Sequence, residues 1–272
     1  MPRHLKAVLF AIAVVVAVLP ATAFAISSLN FYEQDGEVYD DWGICRTRSS
    51  GDDGFFQVTE TKFCPIILGQ SLGENAGRAY DVGQQLAQKY PDSTQRAERV
   101  FAYARDRVRY TPDEELFGYR EFAQNADELA LAIDDKGIAR GDCEDYAILL
   151  AAMYKGAGLR SAVVLAPGHA AALVYLPGYN RANRILSFNG EKGWVWAEAT
   201  GGNNPLGWMP ARYMGAELLI YEVEDVAISR MEPGDMTPVV VAPSAGSPGI
   251  HISPFFSVLA MMWLLSLFRR RR

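Results

Sequence analysis

Cys143 stands in the run Gly141-Asp142-Cys143-Glu144-Asp145-Tyr146, and a histidine, His169, and then an acid, Glu198, follow it along the chain. A thiol at a helix start, a neutral imidazole to take its proton and a carboxylate to orient the ring are the parts of a cysteine acyl-transfer site. Unpaired backbone N–H groups at the start of a helix favour a thiolate, so the position predicts a lowered thiol pKa. His169 is the one histidine away from the ends, since His4 and His251 lie in the terminal segments. Each residue alone has a bland reading. A free cysteine is often a small buried hydrophobe, and a lone histidine is more often packed or solvent-facing than a base. Glu198 as a mere surface acid would be no better than Glu191 or Glu222. Only the three together, in this order, point to catalysis.

The elements that must position them are legible in part. Cys143 opens a helix to about Gly156, with Asp142 as N-cap and Asp145 as reciprocal partner, an assignment that explains both acids without chemistry. Ala147, Leu150, Ala151 and Tyr154 form its apolar face, and Gly156 and Gly158 end it. Upstream, Glu74 to Tyr90 reads as a helix stopped by Pro91. Ser93 or Thr94 caps a second helix whose apolar set is Ala97, Val100, Phe101, Ala104 and Val108, and Glu121 to Asp134 forms a third. Downstream the pattern turns to strands: Ala162 to Ala166, Ala170 to Leu176, Arg184 to Phe188 and Gly193 to Thr200, with Pro-Gly and Asn-Gly between them. In the last, Trp194, Trp196 and Glu198 share one face while Val195, Ala197 and Ala199 share the other. The fold class is α+β, with N-terminal helices and a central Cys-bearing helix packed on an antiparallel sheet.

The chain has 272 residues, half of them hydrophobic, enough for a full core. Met1 to Ala25, basic then apolar then small, reads as an export signal or an N-terminal anchor. Residues 26–95 read as an irregular extension wrapping the core, 96–230 as the catalytic domain and 231–251 as a Pro-rich tether. Residues 252–268 form an apolar stretch ending abruptly at the four arginines 269–272, a transmembrane helix with a cytoplasmic tail; the end also resembles the tails that sorting transpeptidases process. The domain between is then extracytoplasmic. Arg3, Lys6 and the final arginines account for six of the 26 basic residues, which leaves 20 against 32 acids. That acidity excludes nucleic acid as the expected partner. In an oxidising compartment Cys45 and Cys64 are the expected disulfide and Cys143 the remaining thiol. No metal-ligand spacing, P-loop or dinucleotide fingerprint is present, so no metal or cofactor is expected.

Four blocks, Arg140-Gly141-Asp142-Cys143-Glu144-Asp145-Tyr146-Ala147, Gly158 to Val164, Gly168-His169 and Gly193 to Thr200, resemble the transglutaminase-like (papain-like) superfamily. The resemblance spans Ala97 to Thr200. It implies Cys143 as nucleophile, His169 as base and Glu198 as the orienting acid, in a block that ordinarily reads Trp-x-x-x-Asp-Pro-Thr. Glu198 and Ala199 depart from that block, and Ala171 replaces an aromatic residue. The resemblance also implies a weaker role for Gln124 beside the oxyanion, to which the Cys143 backbone N–H is a natural donor. The implied activity is a peptidase or amidase on a protein or peptide substrate, a cell-envelope component among the candidates. The alternatives are a glutamine cross-linking acyl transferase and a non-catalytic surface scaffold of the same fold.

Overall fold

A computed structural model describes residues 31–40, 43–48, 55–59, 62–69 and 76–224, the side chains of 55–59 and 62–64 excepted. The expected export signal, tether, apolar C-terminal segment and arginine tail lie outside the described residues. Among the described residues no helix is long and apolar enough to cross a membrane.

Two short hairpins come first, β1 (Phe31–Gln34) with β2 (Glu37–Asp40) and β3 (Phe55–Thr59) with β4 (Lys62–Pro65), followed by a single turn α1 (Ile66–Gly69). Helices α2 (Gly77–Lys89) and α3 (Ser93–Arg107) follow. The α3 cap is Asp92, whose carboxylate accepts from the Gln95 N–H at 2.7 Å, and not the expected Ser93 or Thr94. Asp92 wins because the helix already includes Ser93 as its first residue. Next come β5 (Val108–Tyr110), the turn α4 (Asp113–Leu116), α5 (Ala126–Lys136), β6 (Ala139–Gly141) and α6 (Cys143–Gly156). α5 starts five residues later than its sequence pattern suggests, because Asn125 and Glu128 close a capping box there. The strands β7 (Ser161–Ala166), β8 (His169–Tyr175), β9 (Ile185–Phe188), β10 (Glu191–Ala197) and β11 (Leu219–Glu222) form one antiparallel sheet in the order β11-β7-β8-β10-β9.

Helix α6 is the axis of the fold. It is buried from Glu144 to Tyr154, because α2, α3 and α5 pack on one side and β7 and β8 on the other. The expected single apolar face is therefore only part of what is covered. α2 comes close enough that a Cβ at Gly83 would lie 2.2 Å from the Met153 carbonyl, and one at Gly156 2.3 Å from that of Tyr80. Replacing either glycine would push the two helices apart. The sheet's α6 face carries Val163, Ala170, Ala172, Val174, Val195, Ala197 and Ala199 in the main core. Its other face carries Ala171, Leu173, Trp194 and Trp196, covered by Met209 and Tyr213.

Arg46 ties the N-terminal hairpin to the helices. It is fully buried, donates through Nε to the Ala123 carbonyl, pairs with Glu128 and lies 3.8 Å from Asp40, with its guanidinium 5.2 Å from the rings of both Phe31 and Phe122. Removing one partner of a buried charge network leaves the others uncompensated. Arg46→Ala should destabilise the protein by about 3–5 kcal/mol, read as a fall in the urea midpoint; an unchanged midpoint would contradict the network.

The disulfide expected between Cys45 and Cys64 is not formed. Cys45 carries a free, buried thiol. Its Sγ is turned toward Glu37 of β2, 3.8 Å from Oε2, and lies 3.5 Å from Thr47 Oγ1, in a small cluster with Ile44 and Ile66. The side chain of Cys64 lies outside the described residues.

Candidate active site

Cys143 is the first residue of α6. The loop that delivers it is fastened by Asp145, which accepts from the Asp142 N–H at 3.2 Å and from the Gln124 N–H at 2.8 Å. The Gln124 side-chain amide donates to Asp145 Oδ2 at 2.7 Å and to the Arg140 carbonyl at 2.9 Å. Both amide hydrogens are thereby engaged, so Gln124 serves to hold the cysteine loop and has none left for an oxyanion. Across from the thiol lies the start of β8: the Ala170 N–H is near enough to Sγ to favour its thiolate, and the residue before it is His169.

The β7–β8 turn is Pro167-Gly168, with Gly168 at φ +65 and Ala166 paired to His169, so the histidine is the first residue after a tight two-residue connection. Ala197 of β10 pairs with Ala172 of β8. Continued by one residue, this register puts Glu198 opposite Ala171, on the face that His169 shares. The contact is made: His169 Nε2 and Glu198 Oε2 are 2.5 Å apart, with side chains 9% and 4% exposed. The second carboxylate oxygen accepts from the hydroxyl of Thr200, and from its N–H at 3.4 Å. Both oxygens of the glutamate are thus engaged, one by His169 and one by Thr200. With Nε2 engaged by Glu198, any proton exchange by this ring would pass through Nδ1.

Tyr213, which sequence reasoning did not single out, completes the wall. It lies in a 3-10 turn (Ala211–Tyr213), stacks on the His169 ring with centroids 5.3 Å apart and planes 2° apart, and meets Trp196 at 5.7 Å. It lies fifteen positions after Glu198, and no periodicity links the two.

The electrostatics reverse one expectation. Burial pushes the Cys143 thiol well above its ordinary range, and the charges of Glu144 and Asp142 push it further, more than the helix start and the Ala170 N–H lower it. In the resting site the thiol donates to Glu144 Oε2 at 3.3 Å. Glu144 and Asp145 are themselves raised by burial and by neighbouring acids. Glu198 goes the other way: burial raises it, but the hydrogen bond and charge of His169 and the donors of Thr200 prevail and hold it below the usual carboxylate range.

A sequence model of the transglutaminase-like superfamily matches residues 80–212. Residues 80–212 belong to the transglutaminase-like superfamily. The matched segment contains Cys143, His169 and Glu198, and the α+β arrangement of a Cys-bearing helix on an antiparallel sheet is the transglutaminase-like fold. No curated protein matches the chain.

Around its thiol this transglutaminase-like domain gathers more acid than an acyl-transfer site requires. Carboxylate oxygens of Asp113, Asp142 and Asp145 lie within 4.8 Å of one another, as do those of Asp113, Glu121 and Glu144, so the residues that could hold a hard divalent cation are these oxygen donors. Burial, then the charge of Asp142, pushes the Asp113 carboxyl up to about 7, against an opposing bond from the Phe122 N–H. An acid whose folded pKa is raised binds its proton more tightly in the native state, so its contribution to stability is complete below the unfolded pKa and declines as pH rises toward 7. Asp113→Asn can keep the Phe122 bond without the charge. It should be more stable than the parent by about 4 kcal/mol at pH 8 and equal to it near pH 4. Urea melts at both pH values check this, and an equal gain at both would contradict it.

Proposed function

We propose that the protein is a cysteine peptidase or amidase whose transglutaminase-like domain cleaves a carboxamide or peptide bond in a protein substrate through a thioester. The observation that carries this reading is the short His169–Glu198 contact at the strand end whose next amide, Ala170, lies near the Cys143 sulfur and favours its thiolate. Because the thiol proton is held tightly, attack is coupled to its transfer to His169 Nδ1 and does not start from a standing thiolate. Sulfur bonds to the carbonyl carbon as the proton moves. The C–N bond then breaks while the imidazolium protonates the departing amine, and Glu198 balances the charge throughout. Water, deprotonated by His169, hydrolyses the thioester to the carboxylate and restores the thiol.

The same reading places the domain outside the cytoplasm, tethered by the Pro-rich segment to an apolar C-terminal helix and acting on cell-envelope protein. Support for that placement is the sequence of the two ends: a basic-then-apolar start, and an apolar stretch closed by four arginines. A protein substrate offered with a labelled primary amine separates the outcomes. Hydrolysis predicts release of the free acid with no retained label, whereas stable amine incorporation would make the protein a cross-linking acyl transferase.

A further inference from the structure

We propose that Tyr213 is a positioning residue for His169: its ring holds the imidazole plane and favours the imidazolium that forms when the thiol proton moves. The inference rests on the Cys143–His169–Glu198 reading and adds a member outside it. The two rings are parallel to within 2° at a centroid separation of 5.3 Å, the offset-stacked arrangement in which an aromatic face meets a flat cation. Rotation of the imidazole about its Cβ–Cγ bond would break the stack as well as the Nε2 contact to Glu198, so the two restraints act on the same torsion.

Tyr213 can impose a plane because it is itself held. It is 4% exposed, its N–H bonds to the Pro210 carbonyl at 3.0 Å, and its other neighbour is Trp196, two residues before Glu198 on the same strand face. The rigid sheet thus orients His169 twice, through Glu198 directly and through Trp196 by way of Tyr213. The titratable and charged groups that act on the phenol ring are Arg212, whose guanidinium lies 4.7 Å from the ring centroid, and, more weakly, Glu198 and the Cys143 thiol. Arg212 is exposed, and the imidazole side of the ring is the buried one. Acids surround the thiol, and any group that favours the charged imidazole therefore favours proton transfer from Cys143.

The test is the second-order rate of Cys143 alkylation by iodoacetamide from pH 5 to 9, with the full chain in detergent. Tyr213→Phe keeps the ring and should react within about twofold of the parent. Tyr213→Leu and a pentafluorophenylalanine at 213, which keeps the shape but withdraws charge from the ring face, should both react roughly tenfold more slowly near pH 7. Neither should slow the protein further once His169 is alanine, because the effect passes through that ring. The fluorinated ring preserves the packing if Leu does not fold. A fluorinated protein that reacts like the Phe variant, or one that loses the same factor with and without His169, would overturn the inference alone. A parent thiol indifferent to His169→Ala would overturn it together with the triad.

Discussion

His169→Ala should lower kcat/KM for a peptide or amide substrate by at least about 10³-fold, while the variant melts within about 1 kcal/mol of the parent. The size follows from the thiol's environment. In a site where the helix start alone made a thiolate, losing the base would spare the attack and harm only the protonation of the leaving amine. Here burial, Glu144 and Asp142 all hold the proton on sulfur, so both steps need the imidazole. Cys143→Ser should fall at least as far, since a hydroxyl is a poorer nucleophile with the same base. Activity that survives His169→Ala within tenfold would mean that another group, Glu144 first among them, takes the thiol proton.

Glu198→Gln should cost about 10²- to 10⁴-fold in kcat with a small change in KM. The amide keeps the side chain's shape and can still accept from Thr200, but it loses the charge that balances the imidazolium and can present an N–H where Nε2 needs an acceptor. Glu198→Asp has a different failure. It keeps the charge, and the carboxylate retreats by about 1.5 Å, one C–C bond. It should retain more activity than Gln, and an Asp variant no better than Gln would show that reach, and not charge, is what this position supplies.

What the sequence discloses is what local pattern and alternation encode. The β10 segment alternates so strictly that its sequence alone puts Trp194, Trp196 and Glu198 on one face and Val195, Ala197 and Ala199 on the other. The structure buries the two sets in separate clusters, with the acid at the end of the tryptophan row. The limits of α6 were readable because Asp142, Asp145, Gly156 and Gly158 mark them chemically. The extra strand at Ile185–Phe188 was readable from its flanking turn, although not that it would lie at the sheet edge. The strand Leu219–Glu222 was not, being four residues long, partly exposed and given its partner β7 only by a return from the far side of the sheet.

The site's missing features have one cause. Asp142 and Asp145 read locally as caps, which they are in part, and nothing local shows that Asp113, some thirty residues earlier, folds against them. The sign of the thiol shift depends on that long-range gathering of charge, so a rule based on the helix start alone gave the wrong direction. Gln124 and Tyr213 escape local pattern for the same reason. Their roles are defined by Asp145 and His169, partners distant in sequence and adjacent only in the fold.

The most direct measurement of the central claim, that the Cys143 proton passes to an imidazole held by Glu198, is the pH dependence of Cys143 alkylation in the parent, His169→Ala and Glu198→Gln proteins. The account predicts a parent rate at pH 6–7 above that of either variant, and in His169→Ala a rate that climbs only at strongly alkaline pH, as expected of a buried thiol among acids. Three superimposable profiles would contradict it.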